Sequence, residues 1–70
     1  MVTVDFSADM NTTASVTVMN MAGGILAQKQ MEAIEGNNSI NLDLSDLPVG
    51  VYIVNLKVGD ENVNLRLLKN

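Results

Sequence analysis

Two carboxylates, Asp43 and Asp46 in Asp43-Leu44-Ser45-Asp46, have the spacing best suited to acid–base work. Such a pair acts as general acid and base where its surroundings separate the two pKa values. The flanking pattern gives them structural roles instead. Asp43 falls on the polar face of an alternating run, and Asp46 opens a turn whose backbone it can hydrogen-bond. Ser45 has no histidine or cysteine to activate it, because the chain contains neither, so a serine nucleophile lacks its base. Asp43, Asp46, Asp60 and Glu61 offer the hard oxygens that calcium takes. No Asp-x-Asp-x-Asp-Gly loop gathers them, and on a chain of net charge −4 they read as solvated surface acids. Gly23-Gly24 lacks the Gly-x-x-x-x-Gly-Lys pattern of a phosphate loop. Asn11-Thr12-Thr13 and Asn37-Asn38-Ser39 match an N-glycosylation acceptor by letter only, in an asparagine-rich chain. The reading is therefore no catalytic residue, no metal site, no cofactor and no enzyme.

The elements that carry these residues are strands. Apolar residues recur with period two. Val2, Val4 and Phe6 form one run, and Val16 and Val18 a second. Ile40, Leu42 and Leu44 follow, then Tyr52, Val54, Leu56 and Val58, and finally Val63, Leu65 and Leu67. Turn chemistry falls between the runs. Ser7 to Thr13 is polar. Asn20-Met21-Ala22-Gly23 has the asparagine-first, glycine-last pattern of a type I turn. Gly36-Asn37-Asn38-Ser39 reads as a loop, Asp46-Leu47-Pro48-Val49-Gly50 as a turn, and Gly59-Asp60-Glu61-Asn62 joins the last two strands. Ile25 to Glu35 is rich in helix formers, and Leu26, Ala27, Met31 and Ile34 roughly fit a helical stripe. The hairpin signal ahead of it and the strands around it favour a strand to about Gln30, followed by a loop. Met19 and Met21 face away from Val16 and Val18. They form either a second apolar face under a loop or an adaptable contact surface. The strand from Val51 is apolar on both faces at its start, which suits a central strand. Six short strands about ten residues apart indicate an all-β sandwich or barrel, read as one domain over residues 1–70.

Size and charge limit the partners. A chain of 70 residues buries only about 60% of its unfolded surface, and such scaffolds usually need a disulfide, a metal or a partner chain. Cysteine is absent. Lys29, Lys57, Arg66 and Lys69 are scattered and have no aromatic residues among them, so neither nucleic acid nor an anionic membrane surface is a fitting partner. No apolar run approaches the roughly 18 residues of a membrane span, and residues 1–70 contain no signal-peptide pattern.

Three segments resemble one family. Ser15-Val16-Thr17-Val18-Met19-Asn20-Met21-Ala22-Gly23 looks like the strand-and-turn pattern of the type IX secretion system C-terminal sorting domain. Asn41 to Val54, with Asp43-Leu44-Ser45, Leu47-Pro48-Val49-Gly50 and Val51-Tyr52, resembles that family's most distinctive stretch. Arg66-Leu67-Leu68-Lys69 is similar to its closing strand. The order and spacing match over essentially the whole chain. The resemblance singles out Asn20, Gly23, Asp43, Leu44, Leu47, Pro48, Gly50, Tyr52, Arg66, Leu67, Leu68 and Lys69 as sorting-motif residues. The family usually opens with a Tyr-Pro-Asn-Pro-like segment and its strand, whereas this chain opens at Met1-Val2-Thr3-Val4. The expected fold is thus an immunoglobulin-like antiparallel β-sandwich of about six strands, without the family's first strand.

The resemblance implies a C-terminal segment of a longer secreted cargo protein from a Gram-negative bacterium. It implies transit of the periplasm and passage through the outer-membrane translocon to the cell surface or the medium. Its partners would be translocon, shuttle and sortase proteins, with sortase cleavage and attachment of the passenger to lipopolysaccharide in many cargoes. The alternative is a small immunoglobulin-like adhesion or carbohydrate-binding module. That would want exposed aromatic platforms, whereas Phe6 and Tyr52 sit at core-facing positions. An uncovered sheet edge would favour a homodimer through strand edges or strand exchange. Three local expectations follow. Tyr52 projects into the core with its hydroxyl on a backbone or solvent partner. Gly50 holds a conformation closed to residues with a Cβ. Val63, Leu65 and Leu67 bury one face of the last strand, leaving Arg66 and Lys69 on or near the surface as a basic end.

Overall fold

A computed structural model of the chain describes residues 2–70. It is all-β, with six strands: β1 Val2–Ala8, β2 Thr12–Met19, β3 Ile25–Ala33, β4 Gly36–Leu42, β5 Gly50–Val58 and β6 Glu61–Lys69. They form two antiparallel sheets, β1-β4 and β3-β2-β5-β6. The sheets pack face to face, as in an immunoglobulin-like sandwich. β5 is central, between β2 and β6.

The core lies where the narrow sheet covers the middle of the wide one. Val4, Ile40, Leu42 and Leu44 meet Val16, Val18, Tyr52, Val54 and Leu56. Four strands span about 14 Å between the outermost axes, and two span about 5 Å. The edge strands β3 and β6 are therefore largely uncovered. β4 leans toward β3, where Lys29 Nζ donates to the Asn41 carbonyl across the two sheets at 2.9 Å. Val2 of β1 lies beside Leu67 and Leu68 of β6.

Two connections match their residue chemistry. Gly23 N donates to the Asn20 carbonyl at 3.0 Å, and Gly23 has φ +92°. The Asn20 Oδ1 accepts from the N–H groups of Ala22 and Gly24. This is a type I turn closed by a glycine of positive φ. Gly59, at φ +58°, takes the first of two loop positions between β5 and β6.

Four expectations are corrected. Gly36 to Ser39 is strand, paired with Ala8 to Asp5. Its asparagines look loop-like, but buried Asn38 bonds the backbone of Ile34 and Gly36 and so replaces missing turn partners. β3 runs on to Ala33, because Met31 and Ala33 pair with Ala14 and Thr12 of β2. The helical stripe is not used, and Ile34 is exposed. Gly50 has no positive φ, and a Cβ there would meet only the Tyr52 hydroxyl, at 4.0 Å. On β6, Val63 and Leu65 are each 45% exposed and only Leu67 is half-buried, because the narrow sheet stops short of that edge.

Candidate functional site

β2 and β6 run toward one end of the sandwich, and β5 runs away from it. Gly50 pairs with Lys69, Tyr52 with Leu67, and Ile53 with both Arg66 and Met19. The Asn20–Gly23 turn, the Asp43–Gly50 connection and the end of β6 therefore meet at this one end. All twelve residues singled out by the motifs belong to it. The turns at residues 9–11, 34–35 and 59–60 lie at the opposite end. There a cleft of about 400 Å³ is lined by Asp9, Met10, Asp60 and Glu61, and no motif residue takes part. The oxygen ligands weighed for calcium are divided between the two ends of β5, Asp43 and Asp46 at one and Asp60 and Glu61 at the other.

The Asp43–Gly50 connection is held from two strands. Leu47 N donates to the Leu44 carbonyl at 3.0 Å, closing a turn. Tyr52 is 6% exposed, and its hydroxyl donates to the Pro48 carbonyl. Lys69 reaches back from β6. Its Nζ donates to the Leu44 carbonyl at 2.6 Å and also to the Leu47 carbonyl. Three carbonyls of one loop thus take hydrogen bonds from side chains of β5 and β6. Leu44 is buried beneath, Pro48 is exposed, and Val49 stands 73% exposed at the tip.

Tyr52 takes the core position and backbone partner that its place in the pattern suggested. Arg66 is exposed and Lys69 half-buried, a basic end on or near the surface, but Lys69 is also folded onto the loop. No spacing signal could reveal that contact, because its partners lie 25 and 22 residues earlier.

Asp43 is exposed, and its Oδ1 accepts from the Ser45 N–H at 3.1 Å. The Ser45 hydroxyl, then that N–H, hold the carboxyl below the usual aspartate value, with smaller help from Lys69. The carboxylate caps the turn just past β4 and stays ionised, taking the backbone contact that the pattern assigned to Asp46.

A shallow cleft of about 220 Å³ opens beside Lys69, lined by Val2, Leu44, Ser45, Leu67 and Leu68. On the outer face of the wide sheet, Met19 stands beside Ile53 and Val51 opposite Leu68. Val51 is 36% and Leu68 62% exposed, so this end carries an open apolar surface.

A family model described as a secretion system C-terminal sorting domain matches residues 1–70, the whole chain. The chain belongs to this family. It is a C-terminal sorting domain of type IX secretion, an assignment that implies interaction with the type IX secretion system and export to the cell surface or secretion. No curated protein and no solved structure matches it. In this sorting domain the three motif segments are separate in sequence and adjacent in space.

Proposed function

We propose that the sorting domain is a folded label read at its motif-bearing end, and that it is a recognition module rather than an enzyme. On this reading it is the C-terminal domain of a longer cargo protein. The cargo enters the periplasm of a Gram-negative cell by an ordinary signal peptide and folds there. Shuttle and translocon proteins of the type IX system then carry it across the outer membrane. At the surface a sortase removes the domain and the passenger is joined to lipopolysaccharide.

One observation carries the reading: the turn at Asn20, the Asp43–Gly50 loop and the last strand converge on a single end, where a partner can touch all three at once. Main-chain edges and apolar strand faces supply recognition without catalytic groups. Phe6 and Tyr52 both turn inward, which offers no aromatic platform for a sugar.

The test is a folded reporter fused to residues 1–70 in a type IX-competent cell. The fusion is expected at the cell surface or in the medium. The same fusion lacking the last eight residues is expected to stay in the periplasm. Normal export of the shortened fusion would overturn the reading.

A further inference from the structure

We infer that Lys69 is a positioning residue. It sets the shape of the Leu44–Pro48 turn, and it does not act as a charge offered to the export machinery. Given that the machinery reads the motif-bearing end, the lysine acts at one remove, through the loop it holds.

Three facts carry this. The ammonium donates to two carbonyls of the loop, Leu44 and Leu47, and is half-buried while doing so. An ammonium has three protons, so two are committed within the domain. Leu44 O is also the acceptor of the Leu47 N–H that closes the turn. Lys69 and the turn's own backbone bond therefore meet on one oxygen. Tyr52, from the neighbouring strand, fixes the next carbonyl, that of Pro48. Charge-assisted hydrogen bonds are the stronger kind, and an exposed loop of this length would otherwise leave these carbonyls to water. The result is a rigid turn that presents Pro48 and Val49 outward. Arg66, which faces solvent on the same strand, is the cation left available to a partner.

Two variants separate positioning from direct charge reading. Lys69→Met removes the donors and the charge together. Tyr52→Phe removes the other clamp and leaves Lys69 in place. Two measurements are made on each: amide hydrogen exchange on the 70-residue chain, and surface export of the reporter fusion. Exchange of the Ser45 and Leu47 amides should rise roughly tenfold or more in both variants, as expected for losing hydrogen bonds of this kind. Exchange at Val16 and Val54 should rise by no more than each variant's global loss of stability accounts for, and by clearly less than at Leu47. Export should fall in both.

Unchanged exchange at Leu47 in Lys69→Met would overturn the inference. So would loss of export in Lys69→Met with normal export in Tyr52→Phe, which is the signature of a charge read directly. An equal rise in exchange at Val54 would also overturn it, by reducing the lysine to general stability. Failure of the parent fusion to be exported would strike the sorting reading instead, and the exchange data would still decide the role of Lys69.

Discussion

Val54 and Leu65 face each other across the β5–β6 ladder, yet Val54 is 3% exposed and Leu65 45%. Both side chains point to the inner face of the wide sheet. One lies under the two-stranded sheet and the other beyond it. Val63 repeats the relationship with Leu56. β6 is thus an edge strand with an apolar face and an unpaired row of backbone groups, beside the open edge of β1. Such edges pair readily with another chain.

Truncation should therefore cost unequal amounts on the two strands. Leu56→Ala should lose about 2–5 kcal/mol, as for a buried core leucine. Leu65→Ala should lose about 1 kcal/mol, in keeping with its half-exposed surface. Urea midpoints at constant slope would measure both. An equal loss would mean that β6 is covered in solution.

If the losses prove equal and the cover is a second copy, the homodimer that the sequence favours, sedimentation should give a mass near twice 7.5 kDa. Leu65→Lys should then return the domain to a monomer. A monomer at high concentration for the parent chain would remove the homodimer from the account.

Tyr52 joins core and loop. Tyr52→Ala should cost about 3–5 kcal/mol, the range for buried aromatics. Tyr52→Phe should cost about 0.5–1.5 kcal/mol, the net value of one hydrogen bond. Chemical denaturation of the two variants separates ring from hydroxyl: no loss in Tyr52→Phe would contradict the Pro48 contact, and equal losses would contradict the burial of the ring.

The strand pattern and most turns were legible because alternation and Asn, Gly and Pro placement are local signals. Asn20-x-x-Gly23 is a case in point, since its side-chain and backbone bonds all lie within five residues. What escaped is non-local. Gly36–Ser39 became strand because β1 needed a partner and Asn38 could bond the turn behind it. The exposure of Val63 and Leu65 depends on the width of the opposite sheet, and no property of β6 encodes that. Gly50 stands in a Pro-x-Gly pattern that suggests special backbone, but its φ is ordinary. The contact of Lys69 joins residues too distant for any spacing rule.

That correction gives a direct contrast. Gly23→Ala should cost about 1–2 kcal/mol, because φ +92° strains a residue with a Cβ. Gly50→Ala should change stability by less than about 0.5 kcal/mol, having open space and ordinary backbone. Thermal unfolding of the pair checks the assignment, and the reverse order would refute it.

Asp43 adds a pH dependence of known sign. Its folded-state pKa is lowered, chiefly by the Ser45 hydroxyl and then by the Ser45 N–H. The carboxylate's contribution is therefore complete above the unfolded aspartate value, about 3.9. It is lost as pH falls through the lower folded value. Asp43→Asn should flatten the acid limb of the stability curve without moving the neutral plateau much. A parent and variant with identical acid limbs would show that the Ser45 contacts do not persist in solution.

The claim that the export machinery reads one end of the sandwich is tested most directly by placing surface charge at each end in turn. Val49→Glu and Leu68→Glu alter exposed side chains at the motif-bearing end, and Met10→Glu alters one at the other end. Each is measured in the reporter fusion for surface export, with melting temperature as the control for folding. The account predicts that Val49→Glu and Leu68→Glu block export with melting temperature unchanged, while Met10→Glu is exported normally. Normal export of the first two, or a block from Met10→Glu alone, would contradict it.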